Sequence, residues 1–120
     1  MSAKLLTKAL REKLLRNGDK QAEAKARGDW IDFPPVVKLF TPDAQATWLL
    51  TELYPTDPDI AFGLCDLGLG IPELGDVRIS EIEQVRGPFG LPIERDLHLT
   101  ADKTITEYAK EAHAAGRIVT

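Results

Sequence analysis

Apolar positions recur every three or four residues at the start of the chain and again at its end; between them they gather into short strand-forming runs and then alternate every two from Leu91 to Leu99. Leu5, Leu6, Ala9, Leu10 and Leu14 set the first period, with lysines and arginines opposite, which predicts a helix over 3–16. Asn17-Gly18 reads as its stop, since both residues tolerate the left-handed conformation that ends helices. Asp19 then caps a second helical stretch through Ala26. Its run QAEAKAR has high helix propensity and almost no large apolar residue, so it is expected on the surface or ordered by a partner. Phe33-Pro34-Pro35 forces extended backbone.

Three strands are predicted next: VVKLF at 36–40, TWLLTEL at 47–53 and IAFGLCDL at 60–67. The turns TPDAQ and YPTDPD between them are too short for helical crossovers, so the middle of the chain reads as an antiparallel meander. GLGIPELGD at 68–76 reads as a loop, with Gly68, Gly70 and Gly75 permitting positive φ, followed by a short strand at 77–79. Ser80 and Glu83 have the spacing of a capping box for a short helix that turns Ile82 and Val85 inward. LPIERDLHL at 91–99 alternates Leu91, Ile93, Arg95, Leu97 and Leu99 against Glu94, Asp96 and His98, a half-buried strand with one intruding Arg. Asp102 or Thr104 starts a last helix with Ile105, Tyr108, Ala109 and Ala112 as its apolar stripe, ended by Gly116. These elements predict an α+β domain: a small antiparallel sheet, a three-strand meander plus one or two further strands, with helices packed on one face. A basic helical segment, 1–32, and an α+β core, 33–120, together form one expected domain.

Composition narrows the picture. The 43% hydrophobic and 28% charged residues are those of an ordinary globular protein. One cysteine, Cys65, excludes an internal disulfide framework and fits a reducing cytoplasm, the expected location. No apolar run approaches a membrane span, and the N-terminus lacks the pattern of a secretory signal. The net charge of −4 argues against tight duplex-DNA binding. Its distribution is uneven: Lys4, Lys8, Arg11, Lys13 and Arg16 make the start basic, whereas acids dominate from Asp43 to Glu83.

Candidate chemistry is sparse. Gly68 to Gly70 gives G-x-G without the third glycine of a dinucleotide loop, and no G-K-[ST] follows. Cys65, Asp66, His98 and His113 have no metal-ligand spacing, so neither a metal nor a cofactor is expected. Ser80 or Cys65 as a nucleophile would need His98 as base, and Ser80 is already used as a cap. Asp66, Glu73, Glu94, Arg95 and Asp96 would converge if the third and last strands were neighbours, giving paired carboxylates for acid–base work. Arg95, on an apolar face, must be paired: it either fixes the Gly-rich loop or receives an anion. Trp30, in GDWIDFPP, is a partner anchor or a lid on the sheet.

The run FTPDAQATWLLTELYPTDPDIAFGLCDLGLGIPELG with SEIEQVRGPFGLPIERDLHL resembles the bacterial domain of unknown function family 2958 over roughly residues 33–110. The matching positions are Lys38 to Pro42, Thr47-Trp48, Thr51-Glu52, Phe62 to Leu64, Pro72 to Gly75, Ser80 to Glu83, Arg86-Gly87 and Gly90 to Asp96. Members often carry a tyrosine after P-E-L-G, where this chain has Asp76, which puts an aromatic platform there in question. The resemblance implies a setting in plasmids, integrative elements and phage-related islands, beside DNA-processing and anti-restriction genes. It carries over no activity and no catalytic residues.

The expectation is therefore a non-enzymatic accessory protein of a mobile element that binds a host or element protein. It would serve element maintenance or counter a defence such as restriction or CRISPR interference. Trp30, Asp66, Glu73, Asp76, Arg95 and Asp96 are the expected contact residues. One alternative is a nucleic-acid accessory protein using Lys8, Arg11 and Arg16. Another is a hydrolase built on Asp66, Glu73, Glu94 and Asp96.

Overall fold

The computed structural model describes residues 5–120, so residues 3–4 of the first expected helix, with Lys4, lie outside the described residues. The elements are α1 (Lys8–Ala26), β1 (Val37–Phe40), β2 (Thr47–Tyr54), β3 (Asp57–Asp66), β4 (Glu73–Arg78), α2 (Ile79–Ile82), β5 (Glu94–Arg95) and α3 (Ile105–Ala115). The strands form one antiparallel sheet in the order β4-β3-β2-β1-β5. The α+β class and the β1-β2-β3 meander expected from sequence are present.

The first helix differs from expectation. It begins at Lys8, where the Thr7 hydroxyl accepts the Leu10 amide at 3.1 Å, and it runs unbroken through Asn17 and Gly18 to Ala26. The two supposed stop residues serve packing instead. β1 pairs with β2 only over residues 47–50, which leaves residues 51–54 of β2 without a strand on that side. α1 lies along this open edge: Asn17 Nδ2 donates to the Thr51 carbonyl at 2.9 Å, and a Cβ on Gly18 would stand 1.8 Å from the Leu53 oxygen. Only glycine lets the two backbones approach so closely, and the helix thereby covers an edge that would otherwise offer unpaired carbonyls.

Turn chemistry places the rest. β2 and β3 join through Pro55-Thr56 alone, with Tyr54 opposite Asp57, a tighter hairpin than the six residues YPTDPD suggest. Thr51 is skipped in the register between Leu50 and Glu52, a bulge. Gly68 and Gly70 take φ of +81° and +83° in the β3–β4 loop, whereas Gly75 sits inside β4, which starts four residues earlier than predicted. The capping box falls on Thr104 and Glu107 of α3, not on Ser80 and Glu83: the Glu107 carboxylate accepts the Thr104 amide at 2.8 Å. Ser80 instead donates its amide and hydroxyl to Asp59, at 3.0 and 2.6 Å, so the carboxylate at the start of α2 comes from β3. The predicted strand at 91–99 shrinks to Glu94–Arg95, because Leu91 and Leu97 are exposed and only Ile93 is buried.

The sheet is covered on both faces and not on the single face expected. One cluster joins Leu14 of α1 and Ile79 and Ile82 of α2 to Val37, Leu39, Trp48, Leu50 and Leu53. The other joins Ile105, Tyr108, Ala109 and Ala112 of α3 to Leu49 and Leu64. The cause lies in β2: Trp48, Leu49 and Leu50 alternate across the sheet and all three are buried, so each face of that strand needs a cover. Among the described residues no helix is long and apolar enough to cross a membrane.

Candidate binding surface

The bulge at Thr51 resets the alternation of β2, so Glu52 and Tyr54 fall on the α3 side of the sheet while Leu53 stays on the α1 side, and Phe62 lies opposite Glu52. Asp76 of β4 lies opposite Phe62 in turn. Tyr54 reaches across β3 and its hydroxyl donates to the Asp76 carboxylate at 2.5 Å. Burial and the neighbouring Asp76 carboxylate push the Tyr54 hydroxyl above its ordinary range, so it stays protonated and donating. Trp30 meets Phe62 edge to face, with ring centroids 6.2 Å apart, and remains 39% exposed. Lys25, from the last turn of α1, sits 5.4 Å from the Tyr54 ring centroid.

Beneath this patch is a polar clamp. Gln21 is 1% exposed; its Nε2 donates to the Ile31 carbonyl at 2.8 Å and its Oε1 accepts the Ile31 amide at 2.8 Å. This two-way bond pins the segment after α1, with Trp30 in it, back onto the helix, and the Gln21–Glu52 bond joins both to β2. Glu52 is equally buried and accepts from Thr51 Oγ1 at 3.1 Å and Gln21 Nε2 at 3.4 Å, with no ion-pair partner among the described residues. Burial raises its carboxyl above the ordinary value; the bonds from Thr51 and Gln21 offset part of that.

The folded chain therefore takes up the Glu52 proton at higher pH than the unfolded chain does. The group's contribution is fully present below the ordinary glutamate value of 4.5 and is lost as pH rises through the raised one. Glu52→Gln keeps an acceptor for Thr51 and Gln21 without the charge. Urea unfolding should show the variant more stable than the natural chain near pH 7, with the gain vanishing at pH about 4.

Of the six expected contact residues, only Trp30 and Asp76 come together, through Phe62. The convergence of Asp66, Glu73, Glu94 and Asp96 fails because β4 and β5 are opposite edges of the sheet, with three strands between them. Asp66 is buried, and its two oxygens accept the Gly68 and Ile118 amides at 2.9 and 3.0 Å, a structural tie for the Gly-rich loop and the C-terminal segment. Glu73 is exposed at the start of β4. Arg95 donates to the Leu5 carbonyl at 2.7 Å, so it ties down the N-terminal segment and not the Gly-rich loop. Asp96 faces Lys38 at 3.5 Å and accepts the His98 amide. Among the described residues no group of three or more His, Cys, Asp or Glu could hold a metal ion. Burial raises the Cys65 thiol to about 11, well out of the nucleophilic range at neutral pH.

On α1, Lys8 and Arg16 are exposed, while Arg11 donates to the Pro58 carbonyl at 3.4 Å. Glu12, Asp19 and Glu23 interrupt the basic face. Sequence reasoning missed Gln21, Glu52 and Tyr54. A glutamate within the apolar run TWLLTEL was the available signal for one of them.

A family model described as a protein of unknown function (DUF2958) matches residues 5–119. No curated protein and no solved structure matches the chain.

Proposed function

The chain belongs to the DUF2958 family, and we propose that it is a protein-binding module, an accessory protein of a mobile element that engages a host or element protein. Countering a host defence such as restriction or CRISPR interference falls within this reading. The observation that carries it is Trp30: a large aromatic side chain left part-exposed, yet fixed edge-on to Phe62 by a buried clamp, beside the Tyr54–Asp76 pair. An aromatic residue held rigid at the surface costs little entropy to bury against a partner, and such residues anchor interfaces. The neighbouring carboxylate adds charge complementarity to a basic partner surface.

The test is capture of a partner by the tagged full chain in a native host. Trp30→Ala is expected to reduce capture by about tenfold or more, the loss of one anchor residue, while shifting the melting temperature little. Undiminished capture by Trp30→Ala would remove the patch from the interface. Salt-sensitive retention of single-stranded DNA that disappears when Lys8, Arg11 and Arg16 become Glu would support the nucleic-acid reading, which the exposure of Lys8 and Arg16 favours.

A further inference from the structure

The two outer strands of the sheet end it in different ways. β5 is two residues long, the blunt edge that discourages further pairing. β4 is six residues long, pairs among the described residues only with β3, and has every residue at least partly exposed. Beside the same strand, a cleft of about 350 Å³ opens between β4 and α2, walled by Ile60, Val77, Ile82 and Val85.

We propose that the free edge of β4 receives an extended polypeptide segment of alternating apolar and basic residues, added as a sixth strand. This rests on the protein-binding reading and names the chemistry of the partner. Side chains of an added strand point alternately to the two faces. Those beside Val77, which packs toward the α1 face, lie over the cleft, whose apolar wall is bordered by Arg78 and Glu81. Those beside Asp76 lie on the other face, next to Tyr54 and the Trp30–Phe62 pair. Charge selects the second set. Asp76 stands on that second face, Glu73 and Glu81 border the cleft face, and among the described residues the edge's one cation, Arg78, is already engaged by Asp57 and Asp59 at 3.3 and 3.4 Å. A second copy paired about Asp76 would set that carboxylate against its own copy, which disfavours self-pairing in that register.

The probe is an end-blocked peptide alternating valine and lysine, as long as β4, added to the full chain, with amide hydrogen exchange read by NMR. The outward amides of β4 are expected to gain protection of about tenfold or more. Val85→Glu, at an exposed position in the cleft wall, is expected to weaken the peptide by about tenfold or more, and a valine–glutamate peptide should fail to bind. Three results would overturn the proposal: no added protection on β4, equal affinity in Val85→Glu, or β4 protected by self-association of the free chain. If Trp30-dependent capture persists while β4 stays unprotected, this inference falls and the protein-binding reading stands. If capture does not depend on Trp30, that reading is the one that fails.

Discussion

Gly18→Ala destabilises this chain by about 3 kcal/mol or more, the reverse of the same change in an exposed helix. Alanine is the better helix former by about 1 kcal/mol, so propensity alone favours the variant. Packing decides otherwise. The added methyl would stand 1.8 Å from the Leu53 oxygen and 3.0 Å from its carbon, both backbone atoms of a strand held on its other side by β3. Neither can give way without moving α1 off the sheet edge. Asn17 would then lose its bond to Thr51, and Leu14 its place in the core. Urea unfolding of Gly18→Ala beside Ala22→Gly, an exposed position of the same helix, checks this. Both should be less stable than the natural chain, the first by much more. A neutral or stabilised Gly18→Ala would mean that α1 does not lie against β2.

Gln21→Ala is the second large effect, expected at about 2–4 kcal/mol. It strips both hydrogen bonds from the Ile31 backbone and one from Glu52, and a buried polar group left unsatisfied costs about 1–3 kcal/mol. The effect should also be local. Freed from Ile31, the segment carrying Trp30 lifts from Phe62, so acrylamide quenching of tryptophan emission increases, while Trp48 stays shielded in the core. Gln21→Glu should be little better. A carboxylate still accepts from the Ile31 amide, but it cannot donate to the Ile31 carbonyl, and it sets a second charge against Glu52. Loss of stability without increased quenching would show that Gln21 supports the helix and not the patch.

The parts of the fold legible in the sequence are those decided locally. β1, β2 and β3 follow from runs of strand-forming residues broken by proline-rich turns, and α3 from a stripe that is buried at all four named positions with Gly116 in the left-handed conformation at its end. The misread parts are decided by distant contacts. Asn17-Gly18 carries the local signature of a helix stop, yet its reason is the backbone of β2. Ser80 and Glu83 have capping-box spacing, yet Asp59 on β3 takes the role. The alternation from Leu91 to Leu99 looks like a strand, but β1 pairs in register with only Glu94 and Arg95, and beyond them takes one amide bond from Asp96 to the Lys38 carbonyl.

The candidate surface was legible only in part for the same reason. Trp30 in a polar extended segment and Asp76 after P-E-L-G stand out by type and position. Tyr54 reads as a turn residue, and Gln21 sits in a run with every mark of a solvated helix. What buries Gln21 is the return of the chain at Ile31 and the open edge of β2, and neither leaves a trace in the local sequence.

The central claim is that a partner protein contacts the face formed by Trp30, Tyr54, Phe62 and Asp76. NMR cross-saturation from a captured, unlabelled partner onto the labelled full chain reports this most directly. Attenuation centred on Trp30, Phe62 and the residues of β4 is the expected result. Attenuation centred on Arg95 and Asp96 at the opposite edge, or on Lys8 and Arg16 of α1, would contradict the account.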